Sequence, residues 1–281
     1  MRAKVWGCRG SLATPGQDTL RYGGNTSCVE LRHDDATALV LDAGTGIREL
    51  GLMLMAQGVQ KIDLLLTHLH LDHIEGLGFF APLWRPDTEL NVWGPPSSLR
   101  SLSARIGRYF SAPLFPFELT EIPSRLAFYD VPGEAWEIGG LRVYAESVSH
   151  PGPTVGYRIE ENGQSLAYIP DHEPALGVPL DSLSRDWVSG FTLAAGADVL
   201  LHDGQYFEAE YPEHVGWGHS SVADAVGFAR IAEVGELVVF HHDPLHSDVA
   251  LDDLGARARD LWRNGGPPPV LAQEGMEIVI E

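Results

Sequence analysis

The stretch THLHLDHIEG, residues 67–76, constrains this chain more than any other, because three histidines and one aspartate fall between positions 68 and 73. It continues the apolar run KIDLLL, which predicts a buried strand that ends at the cluster. In a strand, residues two apart share a face, so His68 and His70 can bind one ion together. Asp72 and His73 lie in the following turn and can serve a second ion nearby. The stretch therefore predicts part of a site for two metal ions.

The remaining ligands must come from elsewhere in the chain. A catalytic ion takes about three protein ligands and keeps one open position, so each ion needs at least one more. Candidates stand where other apolar strands end: His150, Asp171 and either His241 or His242. A carboxylate can bridge two ions, and Asp171 is the natural choice. Imidazole nitrogens with a few carboxylates suit Zn²⁺, with Mn²⁺ or Fe²⁺ as alternatives, so we predict two divalent ions per chain.

Apolar runs alternate with helical patterns, which predicts a chain of mixed α and β structure. Strands are predicted within residues 28–44 (a hairpin around the turn HDDA), 61–70, 136–150, 154–171, 196–206, 236–244 and 274–280. Helices are predicted over 47–58, 98–110, 220–235 and 251–266, the third with Ser220 or Ser221 as N-cap and Gly235 as its end. Residues 84–130 are the hardest to assign. We expect four side chains of that region to line a substrate pocket: Arg108, Tyr109, Phe115 and Phe117.

Composition limits the partners of this chain. Its 281 residues and 44% hydrophobic content suit a single domain over 1–281 with a substantial core. The net charge of −20, from 19 Lys+Arg against 39 Asp+Glu, repels phosphate backbones and disfavours long DNA or RNA as substrate. No apolar run reaches the roughly 18 residues that cross a bilayer, and the first residues lack a signal peptide's apolar stretch. We therefore expect a cytoplasmic protein without membrane contact, and a homodimer stays an open alternative.

Several segments resemble the metallo-β-lactamase superfamily, and they follow one another in its order. The metal motif THLHLDHIEGL is the most specific of them. LDAGTGI precedes it, and SVSHPGPTVGYRI, YIPDHEP, GHSSVADAVGFA and LVVFHHDP follow. The resemblance spans nearly the whole chain. It implies an α/β fold, a four-layer αββα sandwich whose mixed β-sheets are flanked by helices, with a two-metal site along the sheet edge.

The resemblance also implies how the ligands divide between the ions. The implied sets are His68, His70 and His150 for the first ion, and Asp72, His73 and the last histidine for the second, with Asp171 as the bridge. For the last ligand, the end of the strand LVVF favours His241, and His242 stays an alternative. Asp42 in LDAG would orient one of the ligand histidines from behind.

Within the superfamily, LLHDGQY followed by GHSSVADA is similar to the branch that contains the phosphodiesterases of tRNA 3′ processing. There an acidic residue after a strand pairs with a histidine of a later segment, and the matching residues here are Asp203 and His219. A histidine held by a carboxylate can protonate the leaving alkoxide of a phosphodiester. The chain departs from the tRNA enzymes, because aspartate replaces the usual glutamate and no Gly/Pro-rich basic arm is found. Both departures weaken tRNA as the substrate.

These features together predict a dinuclear metal-dependent hydrolase, a phosphodiesterase for a small substrate such as a cyclic nucleotide or a nucleotide-like ester. A hydroxide shared by the ions would attack the phosphorus, with Asp72 and Asp171 orienting it. His219, supported by Asp203, would protonate the leaving group. Three alternatives stay open: hydrolysis of a thioester, lactone or β-lactam at the same site, a non-hydrolytic diiron protein, and a sensor that keeps the fold without the chemistry. The complete ligand set argues against the sensor.

Overall fold

The computed structural model describes residues 1–32, 37–262 and 266–280. Strands β1 to β14 are Arg2–Gly7, Cys28–Arg32, Thr37–Leu41, Lys61–Leu65, Glu89–Gly94, Arg125–Asp130, Trp136–Ile138, Leu141–Ser147, Val155–Glu161, Gln164–Ile169, Val199–Asp203, Glu236–Phe240, Val270–Leu271 and Glu277–Val279. Helices α1 to α6 are Ile47–Gln57, Leu71–Ile74, Leu102–Ile106, Phe191–Ala194, Val222–Ile231 and Asp248–Leu261. Short 3-10 helices occupy Gln17–Thr19, Leu77–Phe79, Ala81–Trp84, Leu119–Glu121, Leu180–Ser182, Arg185–Trp187 and Tyr211–Glu213. The predicted α/β character is confirmed.

The strands form two mixed sheets of seven strands each. The first has the order β14-β1-β2-β3-β4-β5-β6, and the second has the order β13-β12-β11-β10-β9-β8-β7. In each sheet one half is antiparallel and the other half is parallel. The central parallel strands β3, β4, β11 and β12 are nearly continuous apolar runs, as expected for strands that are covered on both faces.

Three apolar clusters hold the layers together. The central one lies between the sheets and joins Val5 and Leu41 of the first sheet to Tyr157 and Phe240 of the second. A second cluster packs α1 and α3 against the outer face of the first sheet. A third packs α4, α5 and α6 against the outer face of the second sheet. The layers therefore follow one another as helix, sheet, sheet and helix, which confirms the predicted αββα sandwich.

The parallel halves of both sheets place their strand ends at one edge. β4 ends two residues before Thr67, β10 ends two residues before Asp171, and β12 ends directly before His241. Because parallel strands end at the same edge of a sheet, polar residues that follow them are brought together there. The fold thus gathers, at one place, side chains that lie far apart in the sequence.

Some helix limits differ from those predicted. α5 begins after Ser221, whose hydroxyl accepts a hydrogen bond from the Asp224 amide, but it ends at Ile231, before the predicted end. The chain leaves the helix through Glu233 in the left-handed conformation (φ 57°). Gly235 serves close packing instead, since a Cβ there would lie 2.7 Å from the carbonyl oxygen of Asp198.

Two other helices also differ at their ends. α3 covers only five residues of the predicted 98–110, because the Ser101 hydroxyl caps it by accepting from the Ala104 amide. α6 begins three residues earlier than predicted, because Ser247 caps it in the same way.

The predicted hairpin turn HDDA lies at 33–36, outside the described residues. Among the described helices, none is both long and apolar enough to cross a membrane.

Candidate metal centre

The structure brings His68, His70, His150 and Asp171 together in a first group at the sheet edge. Each offers a nitrogen or oxygen, and these atoms lie within 4.8 Å of one another. Nε2 of His150 is 3.1 Å from Nδ1 of His70. Oδ2 of Asp171 is 3.6 Å from Nε2 of His68 and 3.7 Å from Nε2 of His150. Three nitrogens and one oxygen therefore face a common point.

A second group consists of Asp72, His73, His241 and the same Asp171. Nε2 of His241 is 3.2 Å from Oδ2 of Asp72 and 3.3 Å from Oδ2 of Asp171. Nε2 of His73 is 3.3 Å from Oδ2 of Asp72. All four side chains are buried. Because Asp171 belongs to both groups, its carboxylate lies where a bridging ligand would be needed.

Several atoms in these groups lack a hydrogen bond, although they are buried. Nε2 of His68, Nε2 of His73 and Oδ1 of Asp171 find no partner among the described residues. The last two atoms are 2.9 Å apart, but their geometry gives neither of them a hydrogen bond. Leaving buried polar atoms unpaired is costly, so such a cluster in a folded protein calls for a ligand. A nitrogen and carboxylate set of this kind fits Zn²⁺ and related divalent ions.

The electrostatics of the first group favour the protonation states of metal ligands. Burial and the charge of His73 hold the pKa of His68 well below its usual range, which keeps its imidazole neutral. Burial opposes ionisation of Asp171, but His241 and His73 outweigh it and hold the pKa of this carboxyl well below its usual range. Neutral imidazole and ionised carboxylate are the forms that bind metal.

Histidines of the second group behave differently. Burial would lower the pKa of His241, but the carboxylates of Asp171 and Asp72 outweigh it and raise the pKa to about 9. The same balance raises the pKa of His73. Without a cation these imidazoles therefore hold protons that neutralise the surrounding carboxylates. A divalent ion would take over that role, and its binding would release protons.

Hydrogen bonds behind the groups fix the orientation of several imidazoles. Nδ1 of His73 lies 2.9 Å from Oδ2 of Asp42, a buried carboxylate that also accepts from Tyr168 Oη (3.0 Å). Nδ1 of His150 lies 2.8 Å from the Gly218 carbonyl oxygen, and Nδ1 of His241 lies 3.1 Å from Oε1 of Gln205. Such contacts set the ring angle and the tautomer, and they leave Nε2 free to face an ion.

The two histidines in HHDP point in different directions. His241 lies in the second group, whereas Nε2 of His242 donates a hydrogen bond to the Ala272 carbonyl oxygen at 2.8 Å. Gly10 packs on the His241 ring so closely that a Cβ there would lie 2.4 Å from it. That His241 is the last metal ligand stays a prediction. The positions of the two imidazoles support it.

Asp203 and His219 lie beside the second group. Oδ2 of Asp203 is 2.7 Å from Nδ1 of His219, and its Oδ1 accepts from the amides of Gln205 (3.0 Å) and Ser220 (3.2 Å). The His219 ring stacks on the ring of His241 with centroids 4.8 Å apart. His219 therefore stands at the edge of the centre and not behind it, with its orientation set by a buried carboxylate.

Sequence reasoning missed two groups that hold this centre in place. The Ser11 amide donates to Oδ2 of Asp72 at 2.7 Å, from a residue in the left-handed conformation. Glu173, which is buried, accepts from the amides of Gly216 and Gly218 and from Tyr211 Oη. The signal for Glu173 was its place two residues after Asp171 in YIPDHEP. No local pattern pointed to Ser11.

A cavity of about 580 Å³ opens next to the first group and shares His68 and His70 as part of its wall. Arg108 and Tyr109 line it, as predicted. For the other two aromatics the prediction is wrong. Phe115 and Phe117 lie outside its lining, because their rings pack against Trp84 instead, with ring centroids 6.5 Å and 5.2 Å away.

Two mixed sheets between helices, with histidines and carboxylates gathered at the strand ends, define a metal-dependent hydrolase of the metallo-β-lactamase fold. Residues 37–242 match the family described as Beta-lactamase superfamily domain, and the chain belongs to this superfamily. A Ribonuclease Z of Mycobacterium bovis (strain BCG / Pasteur 1173P2) is 30% identical over 248 residues, 81% of each chain.

Solved structures agree with this fold. The metallo-beta-lactamase fold protein YhfI from Bacillus subtilis matches with a TM-score of 0.71 at 17% identity, over 99% of each chain. A diphosphatase from the PhnP family matches with a TM-score of 0.69 at 18% identity, over 100% of this chain and 98% of that one. These structures confirm the predicted fold, and the family match together with the Ribonuclease Z relative supports a metal-dependent hydrolase.

Proposed function

We propose that residues 1–281 form one hydrolase domain that cleaves a small phosphodiester at a site for two divalent ions. The observation that carries this proposal is the Asp203–His219 pair, 2.7 Å apart, at the edge of the candidate metal centre. A hydrolase of carbonyl esters has no need for such a donor. A phosphodiester with an alkoxide leaving group needs one, because an alkoxide leaves poorly without a proton.

The two groups would hold the ions, with Asp171 serving both. When bound, divalent ions in such a site activate water as the nucleophile and neutralise the charge of the phosphate. The carboxylates of Asp72 and Asp171 would orient that water, since Asp171 belongs to both groups and Asp72 lies beside it in the second. Asp42 would keep the imidazole of His73 turned towards the centre through its 2.9 Å contact.

His219 would supply the proton that the leaving oxygen takes. With Nδ1 held by Asp203, its Nε2 is the atom available to donate. As the P–O bond breaks, the proton passes from Nε2 to the leaving alkoxide, and the electron pair of the broken bond stays on that oxygen. The stacking of His219 on His241 limits its rotation, so that the donor stays at the edge of the centre.

A small substrate is favoured over a long nucleic acid by charge. The chain carries −20 at neutral pH, and nucleic-acid affinity depends largely on Lys and Arg contacts with phosphates. The relative named Ribonuclease Z is the observation that favours the second candidate, cleavage of RNA. The two candidates share the same chemistry at the centre and differ only in what is bound around it.

The test is a substrate panel on metal-loaded protein. It compares bis(p-nitrophenyl) phosphate, a cyclic nucleotide, a precursor tRNA, a lactone and a thioester, with chelator-treated protein as the control. We expect turnover of the phosphodiesters only. Turnover of the carbonyl esters alone would overturn the phosphodiesterase assignment. If precursor tRNA is cleaved with a far higher kcat/KM than any small phosphodiester, the proposal of a small substrate is wrong.

Elemental analysis of the same preparation counts the ions. The proposal expects two ions per chain in fully active protein, with zinc as the first candidate and manganese or iron as alternatives. Full activity with one ion per chain would remove the dinuclear site. Replacing His73 by Ala should lower the count by about one, because this side chain belongs to the second group only.

A further inference from the structure

The cavity beside the first group has an unusual lining for so acidic a protein. Three arginines line it, Arg100, Arg105 and Arg108, and they come from α3 and its flanking turns. Its other walls are mostly apolar, with Leu71 and Tyr109 among them. The chain has 39 acidic residues, yet no carboxylate of the described residues lines this cavity. Positive charge is therefore concentrated in the cavity that leads to the centre.

Two of these arginines are free to bind a ligand. Arg100 and Arg108 are exposed, and neither guanidinium has a hydrogen bond, ion pair or ring contact with a described residue. Other exposed arginines of the described residues contact a carboxylate, as in the pairs Arg21–Asp252 and Arg85–Asp87. Arg100 and Arg108 have no such partner, and they lie in the cavity through which a substrate would reach the centre.

Arg105 is anchored between them and the sheet. Its guanidinium donates to the Pro95 carbonyl oxygen and lies 3.7 Å from Oδ1 of Asp130. Its Nε is buried and has no hydrogen-bond partner among the described residues. These contacts hold Arg105 in place, so the free positive charge of the cavity comes mainly from Arg100 and Arg108.

We propose that this cavity binds a terminal phosphate of the substrate, distinct from the phosphodiester that is cleaved. The inference rests on the proposed function and narrows its substrate class to a nucleotide-like phosphodiester that carries a phosphomonoester. Arg100 and Arg108 recognise that group, because a planar guanidinium pairs with phosphate oxygens through two parallel hydrogen bonds. The apolar wall with Tyr109 packs against the part of the substrate between the two phosphates.

The experiment compares substrates that differ only in this group. One is a 3′,5′-linked dinucleotide, and the other is the same dinucleotide with a 5′-phosphate. On metal-loaded wild-type protein we expect the phosphorylated form to have a kcat/KM at least ~10-fold higher, mainly through KM. Because exposed charges are screened by salt, the preference should shrink as ionic strength rises. In the double variant R100A/R108A it should fall to about one.

A matched control is Arg125→Ala. Arg125 is exposed, lies 3.7 Å from Glu89, and begins the strand β6 whose other end carries Asp130. It lies outside the cavity lining, so its removal should leave the preference as in the wild type. The double variant R100Q/R108Q, which keeps hydrogen-bond donors without charge, provides a second measurement if the alanine variant folds poorly.

The outcomes separate this inference from the proposed function. Bis(p-nitrophenyl) phosphate has no second phosphate, so failure to hydrolyse it overturns the proposed function itself. If it is hydrolysed but both dinucleotides react equally well, only the terminal-phosphate site is wrong. The site is also wrong if R100A/R108A keeps the preference. A trinucleotide that outcompetes the phosphorylated dinucleotide would show that the arginines bind the backbone of a longer chain. The proposed site for a terminal phosphate would then be wrong.

Discussion

Nδ1 of His219 lies 2.7 Å from Oδ2 of Asp203, a carboxylate that is fully buried. Oδ1 of the same carboxylate accepts from the amides of Gln205 and Ser220, so Asp203 cannot rotate away from the imidazole without losing both bonds. The contact therefore sets the position of one titratable side chain at the edge of the candidate metal centre. It gives the proposed proton donor a fixed geometry that can be tested by substitution.

Replacing His219 by Ala should depend on the leaving group. We expect kcat to fall about 10²-fold or more for a phosphodiester with an alkoxide leaving group, because that oxygen needs a proton. With p-nitrophenolate, which leaves without one, the loss should be much smaller. The measurement is kcat for both substrates on metal-loaded protein. Equal losses for the two would contradict a proton donor and leave only a structural effect.

Asp42 should control metal affinity through His73. Asp42→Ala removes the acceptor of the imidazole Nδ1 and of Tyr168 Oη, and we expect the affinity for zinc to fall about 10–100-fold. Tyr168→Phe is the matched control, since it removes one donor to the same carboxylate and costs about 1 kcal/mol of stability without touching the imidazole. Competition with a zinc chelator measures both. Equal zinc affinity in Asp42→Ala and wild type would contradict the orienting role.

The neighbours His241 and His242 offer a paired test of ligand identity. His241→Ala should lose about one ion per chain, because its imidazole belongs to the second group. His242→Ala should keep both ions and lose stability only, because that side chain contacts the Ala272 carbonyl oxygen away from the centre. Elemental analysis after dialysis distinguishes them. The reverse pattern would make His242 the ligand.

Glu173 should act on His219 through the loop between them. It accepts from the Gly216 and Gly218 amides at 2.9 Å each, and Gly218 directly precedes His219. Glu173→Gln turns an amide donor towards these N–H groups, so we expect roughly a tenfold loss of kcat, again larger for the poor leaving group. Tyr211→Phe, which removes only the hydroxyl contact of the same carboxylate, serves as control. A loss confined to melting temperature would mean that Glu173 acts on stability alone.

Metal-free protein should be most stable near neutral pH. Burial is the main cause that lowers the pKa of His150 to about 4, so the stability of its neutral form is lost as pH falls below 6.5. Burial would also lower the pKa of His241, but Asp171 and Asp72 outweigh it and raise it to about 9. The contribution of charged His241 is therefore fully present below 6.5 and is lost as pH rises through about 9.

Thermal unfolding of chelator-treated protein, from about pH 5 to 9.5, checks both limbs of this dependence. Added zinc should flatten the alkaline limb, because the cation replaces the proton on His241. A melting temperature of the metal-free protein that keeps rising above pH 7 would contradict the expected loss.

Much of the fold and part of the site could be predicted from short patterns. The apolar runs predicted the strands, and α1 is followed by Gly58, which adopts the left-handed conformation expected of a helix terminator. The ends of the helices were harder to predict. The chain leaves α5 through Glu233, and Gly235, predicted as the end of that helix, instead allows close packing against the backbone of Asp198. Such a contact depends on a neighbouring strand end, which no local pattern contains.

The sequence by itself determined the chemistry that this chain can perform. The motif places His68, His70, Asp72 and His73 within six residues, and this concentration of metal-binding side chains predicted the metal chemistry. The strand predicted over 61–70 ends at Leu65, so strand alternation does not place His68 and His70 on one face. Only the tertiary structure decided which distant groups meet them. Sheet order and loop paths bring Asp171 between the two groups, turn His242 away and place unpaired arginines in the neighbouring cavity. The reason is physical: spacing fixes the direction of side chains over a few residues, whereas contacts across 100 residues depend on how whole sheets pack.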